Sequence, residues 1–190
     1  MIVEGIMTTR NEDGSVNVAP MGPRVDDAWN RLVLRPYRTS TTYRNLKRTG
    51  EGVFHVTDDV ELLARAAIGC LEPPPLADVP GLSVPRLADA CRWYALRVES
   101  LDDRLERTEI VMRTVDMGRV RDFLGLNRAK HAVVEAAILA TRVGLLPAEE
   151  IHAQFDRLRS WLEKTGGPAE KRAFAMLEDF VGRKAPKDGK

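Results

Sequence analysis

Cysteine is scarce in this chain of 190 residues, which contains only Cys70 and Cys91 and no CxxC motif. Two thiols without that motif indicate reduced cysteines in a cytoplasmic protein rather than a disulfide framework. An excess of one charge is also absent, because 29 Lys and Arg residues oppose 28 Asp and Glu residues, for a net charge of +1. The composition therefore gives no general electrostatic reason to expect nucleic acid or an anionic membrane as a partner.

Long hydrophobic runs and the common nucleotide-binding loops are absent as well. The most apolar segment, residues 132–140, is short and contains Glu135, so it does not resemble a bilayer span. Residues 1–9 carry Glu4 and no basic n-region, which does not fit a signal peptide. Neither a Walker loop nor a GxGxxG fingerprint occurs, so the usual nucleotide-binding folds are not indicated. We expect a cytoplasmic protein without a membrane partner.

The most informative feature that the sequence does contain is a short polar cluster between the apolar runs at 32–34 and 53–56. The cluster combines two arginines, four consecutive hydroxyl residues and one amide: Arg35, Arg38, Thr39, Ser40, Thr41, Thr42 and Asn45. Guanidinium groups beside hydroxyls and backbone amides supply the charge, geometry and donors that a phosphate monoester requires. The cluster predicts a phosphate-bearing ligand held on a β scaffold. The alternative is an exposed strand and turn in which Thr serves only as a strand former.

Other polar residues have simpler interpretations. His55 lies in the middle of a predicted strand, where a single histidine is typical of a hydrogen-bonded wall residue. Asp58 and Asp59 precede a helical pattern and are explained by helix capping. His131 and Glu135 are one helical turn apart but do not form the HExxH zinc motif. The sequence thus predicts no metal site and leaves the catalytic residues unknown, which is compatible with a redox cofactor that carries the chemistry itself.

The order of the periodic patterns predicts strands first and helices last, which is typical of the α+β class. The patterns predict a hairpin within residues 1–18 and further strands at 31–34, 53–57, 92–100 and 105–115. They predict helices at 62–68 and 128–143, one beginning at Pro147 and one after Pro168, with a proline-rich irregular segment at 70–90. The predicted division is a β domain at 1–120, a helical part at 121–182 and a disordered tail at 183–190.

Several short segments together resemble a known family. The segments are P-M-G at 20–22, S-x-T-x-x-N-L at 40–46 and V-T-D-D at 56–59. They resemble the flavin reductase-like, FMN-binding split β-barrel superfamily and, within it, the uncharacterised domain-of-unknown-function family 447. The helix start N-R-A-K-H-A-V-V-E-A at 127–136 is similar to the C-terminal helical part of that family. The resemblance covers residues 1–182 and includes no recognisable nicotinamide-binding element.

The resemblance implies an antiparallel, Greek-key-like split β-barrel of six strands, followed by a C-terminal three-helix part. It also implies a homodimer with FMN near the interface. Ser40, Thr41 and Thr42 would bind the FMN phosphate, and Arg35 or Arg38 would supply the positive charge.

The remaining expected cofactor contacts surround the flavin ring and the ribityl chain. The resemblance implies that Met21 and Gly22 flank the flavin ring. It also implies that three residues line the ribityl chain or the ring edge: Asn45, His55 and Thr57. The proline-rich loop at 73–85 is a candidate lid over the ligand.

The implied function is that of an FMN-binding flavoprotein. It would be an oxidoreductase that passes hydride or electrons through FMN between a small-molecule donor and a small-molecule acceptor, neither of which the sequence names. A non-catalytic flavin-binding carrier or sensor is the alternative. A small-molecule or nucleic-acid binding barrel without flavin is the second alternative, suggested by the basic segment 24–48 and disfavoured by the few aromatic stacking partners there.

Overall fold

The structure is a computed structural model that describes residues 1–184. Contacts divide the chain into two compact units. The first consists of Met1–Thr57 and Pro73–Phe123, and the second of Asp58–Glu72 and the chain from Leu124 onward. This grouping places the helix α2 (Val60–Ala67) with the C-terminal helices, whereas the sequence assigned it to the β domain. Of the predicted tail at 183–190, the first two residues belong to the last helix and the rest lie outside the described residues.

The first unit is built on an antiparallel sheet. Its strands are β1 (Gly5–Arg10), β2 (Val16–Met21), β3 (Arg24–Val25), β4 (Arg31–Leu34), β5 (Glu51–Val56), β8 (Arg92–Asp102) and β9 (Glu109–Arg119). They pair in the order β2-β1-β5-β8-β9-β4-β3, which makes a curled half-barrel of seven strands where six were expected. Register shifts at Ala95/Leu96 and Val98/Ser100 interrupt the long β8–β9 pair. Such bulges increase the local twist and help a sheet to curl.

One face of the sheet carries the main core. Burial alternates along β4 and the start of β9, whereas successive residues are buried in β1, β5 and β8, whose other face is also covered. The fully buried side chains of the main core on these strands are Met7, Leu32, Leu34, Phe54, Leu96, Ile110 and Met112. The helix α1 (Thr41–Thr49) closes this core with Tyr43 and Leu46. Trp29 stacks on Tyr94 with ring centroids 4.4 Å apart. The sheet and α1 therefore form a rigid platform.

The proline-rich loop covers part of the sheet rather than standing free. It forms a small hairpin, β6 (Leu76–Ala77) and β7 (Arg86–Leu87), and buries Val79 and Val84 against β5 and β8. The Thr8 hydroxyl donates to the Pro85 carbonyl at 2.8 Å. These contacts give the loop a packing role instead of the lid role considered from sequence, because its apolar residues are part of the core.

The second unit is helical. It contains α2, α3 (Arg128–Ala140), α4 (Ala148–Thr165) and α5 (Pro168–Lys184), and the three C-terminal helices agree with the prediction. The Asn127 side chain caps α3 by accepting from the Lys130 amide, and small alanines give α3 a fully buried face. Lys130 donates to the Asp58 carbonyl at 2.7 Å and pairs with Glu170 at 2.8 Å, which ties α2, α3 and α5 together. Within residues 1–184, no helix is both long and apolar enough to cross a membrane.

Candidate functional site

The N-terminus of α1 is the best-formed anion site that the predicted residues build. Ser40 is the N-cap, with extended backbone angles, and its hydroxyl oxygen accepts from the Tyr43 amide at 3.2 Å. The amides of Thr41 and Thr42 have no acceptor among residues 1–184, and the first turn contains no acidic residue. The positive end of the helix dipole therefore presents two uncommitted donors, the arrangement that binds phosphate groups at helix N-termini.

Two arginines precede this helix. Arg35 and Arg38 are exposed, and within the described chain their guanidinium groups form no hydrogen bond or ion pair. Arg38 lies two residues before the cap, and its backbone amide donates to the Glu106 carbonyl at 3.0 Å. A fixed backbone with an uncommitted guanidinium fits a residue that pairs with a bound anion.

Other cations of the basic segment 24–48 are committed within the protein. Arg31 pairs with Glu99 at 2.7 Å, Lys47 pairs with Asp103 at 2.7 Å, and Arg48 donates to the Arg10 carbonyl. Because carboxylates compensate two of these charges, the segment is a weaker nucleic-acid surface than its composition indicates.

A buried polar network seats α1 on the β1–β2 hairpin. Asn17 donates to the Thr42 and Thr9 hydroxyls, both at 3.2 Å. The Asn45 side chain donates to the Thr9 hydroxyl at 3.1 Å and to the side-chain oxygen Oδ1 of Asn11 at 2.7 Å. The Thr42 and Asn45 side chains thus hold α1 in place, and the Thr42 backbone amide remains the group directed to a ligand. Sequence reasoning missed Asn17, for which a polar residue between two valines of a strand was the only signal.

His55 is buried in the protein and hydrogen-bonded to the backbone. The ring is fully buried, its Nδ1 lies 3.1 Å from the Ile6 carbonyl oxygen, and its Nε2 accepts from the Leu87 amide at 3.0 Å. This pattern assigns the proton to Nδ1. Burial lowers the pKa of His55 to about 4, the charge of Arg86 acts in the same direction, and the bond to Ile6 opposes them. Both ring nitrogens are used by the backbone, which gives His55 a structural role between β1 and β7.

Met21 and Gly22 lie at the far end of β2 from the α1 contact. Asn17, which touches α1, and Met21 are four residues apart on one strand, a span of about 13 Å. All six residues of this edge strand are half-buried, so neither of its faces is fully covered by the chain. Gly22 is exposed, and a Cβ there would stand 2.8 Å from a Glu4 carboxylate oxygen. Thr57 follows β5 and is half-buried.

Comparison with solved structures identifies the class of fold. An FMN-bound protein from Methanosarcina mazei is similar over 94% of both chains, with 25% identity and a TM-score of 0.81. The styrene monooxygenase flavin reductase of Pseudomonas putida S12 matches 61% of this chain and 77% of its own, with 16% identity and a TM-score of 0.51. An FMN-binding protein from Thermus thermophilus matches 62% and 70%, with 16% identity and a TM-score of 0.52. The fold is the flavin reductase-like split barrel, as expected.

The chain belongs to the family described as "Protein of unknown function (DUF447)". The model of its N-terminal domain matches residues 3–121, and a second model of the family matches residues 127–179. The Methanosarcina mazei protein is a member of the same family. These matches confirm the family expected from the three motifs. A comparison with curated proteins found no match.

Proposed function

We propose that this protein is a flavoprotein that binds FMN, with the FMN phosphate at the N-terminus of α1. The observation that carries the proposal is the pair of uncommitted amides at Thr41 and Thr42, close in sequence to the uncommitted guanidinium of Arg38. A phosphate monoester would accept from both amides and form a charge-assisted hydrogen bond with Arg38. The bound FMN of the Methanosarcina mazei relative supports the same cofactor here.

The hydroxyl groups of this turn complete the phosphate site. Ser40 and Thr41 use their hydroxyl oxygens as acceptors, from the Tyr43 amide and from Arg44 at 3.3 Å, so each hydroxyl proton is available to a phosphate oxygen. Arg35 remains the second candidate for the charged partner. The fit is chemical as well as geometric, because the first turn of α1 contains no carboxylate that would repel the phosphate.

In the proposed site, the flavin ring would lie at the C-terminal end of β2. The strand leads from its contact with α1 to Met21 and Gly22, so a phosphate bound at α1 and a ring beside Gly22 would lie at opposite ends of one strand. A glycine has no side chain to block the approach of a planar ring to the backbone. Backbone amides at this end would stabilise negative charge on the ring. Thr57 is proposed as a contact of the ribityl chain or the ring edge, and Asn45 as support for α1.

A homodimer is part of the proposal. The end of β9 and the segment after it expose four large apolar side chains of one unit: Val115, Met117, Val120 and Phe123. Val115 and Met117 lie two residues apart on β9, beside the bulge opposite Ala95 and Leu96. Neighbouring exposed apolar residues of this size indicate a protein interface. A second copy of the chain would cover them, with FMN near the interface.

We propose an oxidoreductase that passes hydride or electrons between a small-molecule donor and a small-molecule acceptor. FMN supplies hydride and electron transfer when bound, and the chain binds, orients and shields it. A second candidate is a flavin-binding carrier or sensor without turnover. It is favoured by the commitment of His55 to the backbone, which leaves the predicted site without an acid or base near neutral pH.

An FMN titration followed by flavin fluorescence tests cofactor and anchor together. Arg38→Ala should weaken FMN binding by about 2–3 kcal/mol, because a charge-assisted bond to phosphate is lost. Arg113→Ala is the matched control, since it also removes an arginine charge, one paired with Glu99 at 3.6 Å. Unchanged affinity in both Arg38→Ala and Arg35→Ala would overturn the anchoring assignment, and absence of FMN binding to the native protein would overturn the cofactor.

Turnover separates the two candidate functions. The flavin in the native protein would be reduced by light, with EDTA as the electron donor, and then mixed with candidate small-molecule acceptors without oxygen. Reoxidation by an organic acceptor, saturating with its concentration, supports the oxidoreductase. Reoxidation by oxygen alone supports the carrier or sensor.

A further inference from the structure

A cleft of about 390 Å³ opens at the turn between β8 and β9, and no predicted role accounts for it. Six residues line it: Arg35, Asp102, Arg104, Leu105, Arg107 and Glu109. Its volume lies within the range of small-molecule sites. All six residues belong to the first unit, on the ends of β4, β8 and β9 and on the turn.

Sheet register explains why these residues meet. Leu34 pairs with Ile110, and Asp102 pairs with Glu109, so Arg35, Glu109 and Asp102 form a row across three neighbouring strands. The Thr108 amide donates to the Pro36 carbonyl at 3.0 Å, which holds the turn against the segment after β4. The backbone of the cleft is therefore held both by the strand pairing and by the hydrogen bond between Thr108 and Pro36.

Two of the charged side chains in the cleft pair with each other, and the other three form no ion pair among residues 1–184. Arg104 forms hydrogen bonds to both oxygens of Asp102, at 2.5 to 3.1 Å, and the pKa of Asp102 is lowered to about 2 by these bonds. Arg35, Arg107 and Glu109 have no ion pair among residues 1–184. The guanidinium of Arg107 lies 4.9 Å from the centre of the half-exposed Tyr37 ring, which restrains it without neutralising it.

We propose that this cleft binds a small hydroxylated organic anion through Arg35 and Arg107. Two open guanidinium groups fit the oxygens of one phosphate or carboxylate group. Glu109 would accept a hydrogen bond from a ligand hydroxyl, and its charge limits the site to ligands of low negative charge. Leu105, which is 71% exposed, supplies an apolar rim. Arg35 is thereby assigned to the cleft, and Arg38 is left to the phosphate at α1.

The test is an NMR titration of the 15N-labelled full chain, observing the arginine Nε–Hε signals. The probes are glycerol 3-phosphate, glycerate and, as the neutral control, glycerol. We expect both anions to shift the Arg35 and Arg107 signals in a saturable way and glycerol to shift neither. The tighter of the two anions tells whether the natural ligand is a phosphate ester or a carboxylic acid.

Two variants probe the assignment in opposite directions. Arg107→Gln should weaken anion binding about tenfold, the loss typical of one charge-assisted bond. Glu109→Gln should strengthen it severalfold, a gain that misfolding cannot produce. Arg113→Gln removes the same charge from another part of β9 and should leave the affinity unchanged.

Three results would overturn the proposal. One is the absence of shifts at Arg35 and Arg107 with either anion. Another is equal weakening by Arg107→Gln and Arg113→Gln, which would mean attraction to general positive charge. The third is a loss of FMN affinity in Arg107→Gln that equals its loss of anion affinity, which would mean that the cleft is part of the flavin site. The anion titration itself needs no flavin, so a failure of FMN binding would leave its outcome interpretable.

Discussion

His55 shows how one side chain can link two strands of the main sheet to the small β6–β7 hairpin. Its Nδ1 contacts the carbonyl of Ile6 on β1, its Nε2 accepts from Leu87 on β7, and the residue itself belongs to β5. Protonation of Nε2 would remove the bond from Leu87 and place a charge in the core near Arg86. The folded protein therefore keeps this histidine neutral, with a pKa of about 4 against an ordinary value of 6.5.

The stability of the protein should consequently fall as the pH falls below about 6.5. In that range the unfolded chain binds a proton on His55 and the folded chain does not, so falling pH stabilises the unfolded state relative to the folded state until about pH 4. The loss should be about 3 kcal/mol between pH 7 and pH 4. His55→Gln, which cannot bind this proton, should be less stable at pH 7 but show a smaller loss in urea unfolding across the same range. His131→Gln, at an exposed histidine of α3, is the control, and equal pH profiles for the native protein and His55→Gln would contradict the account.

At the level of elements, α1 combines a structural cap with the proposed phosphate site in one turn. Ser40→Ala should destabilise the protein by about 1 kcal/mol, because the Tyr43 amide loses its acceptor. Ser40→Asp should keep the cap, since Asp caps helices as well as Ser, but its carboxylate would repel a phosphate at the Thr41 and Thr42 amides. We expect normal urea unfolding without cofactor and at least about tenfold weaker FMN binding for Ser40→Asp. If this variant binds FMN with native affinity, the proposed placement of the phosphate at the N-terminus of α1 is wrong.

Local signals in the sequence were sufficient for most elements of this protein. β4 was predicted at its observed bounds of residues 31–34, and α4 begins directly after Pro147 as its pattern indicated. β9 was predicted from residue 105 but begins at Glu109, because the preceding residues form the turn that Thr108 fastens to Pro36. Strand periodicity could not reveal that contact between residues 72 positions apart in sequence.

The residues of the candidate site show the same difference between local signals, which the sequence reveals, and long-range contacts, which it does not. Ser40 was selected because hydroxyl groups beside arginines indicate a phosphate site, but its role as the N-cap of α1 was not predicted from the sequence. His55 was interpreted from its strand position as a hydrogen-bonded wall residue, but its partner Leu87 could not be named, because it is 32 residues away in a segment whose prolines indicate only irregular structure. The cleft was missed because Arg35 and Arg107 meet only through the pairing of β4 with β9. Local chemistry was readable from the sequence, and long-range strand register was not.

At the scale of the whole molecule, the proposed homodimer would cover apolar side chains that the single chain leaves exposed. Met117 is 50% exposed, and Val115, Val120 and Phe123, which are close to it in sequence, are exposed as well. Burying such side chains contributes about 25 cal/mol for each Å² of apolar surface removed from water. A symmetric pair of chains would bury the patch twice, since both copies present the same surface.

Met117→Glu should therefore split the proposed homodimer, because a charge buried in the interface would lack a partner. Light scattering after gel filtration should give twice the mass of one chain for the native protein and the mass of one chain for this variant. Leu105→Glu is the matched control, since Leu105 is more exposed and lies at the β8–β9 turn outside the patch. An unchanged mass in Met117→Glu would show that this face is not the interface. If the variant becomes monomeric and also loses FMN, the flavin lies near the interface, whereas a monomer with full FMN affinity would place the whole flavin site within one chain.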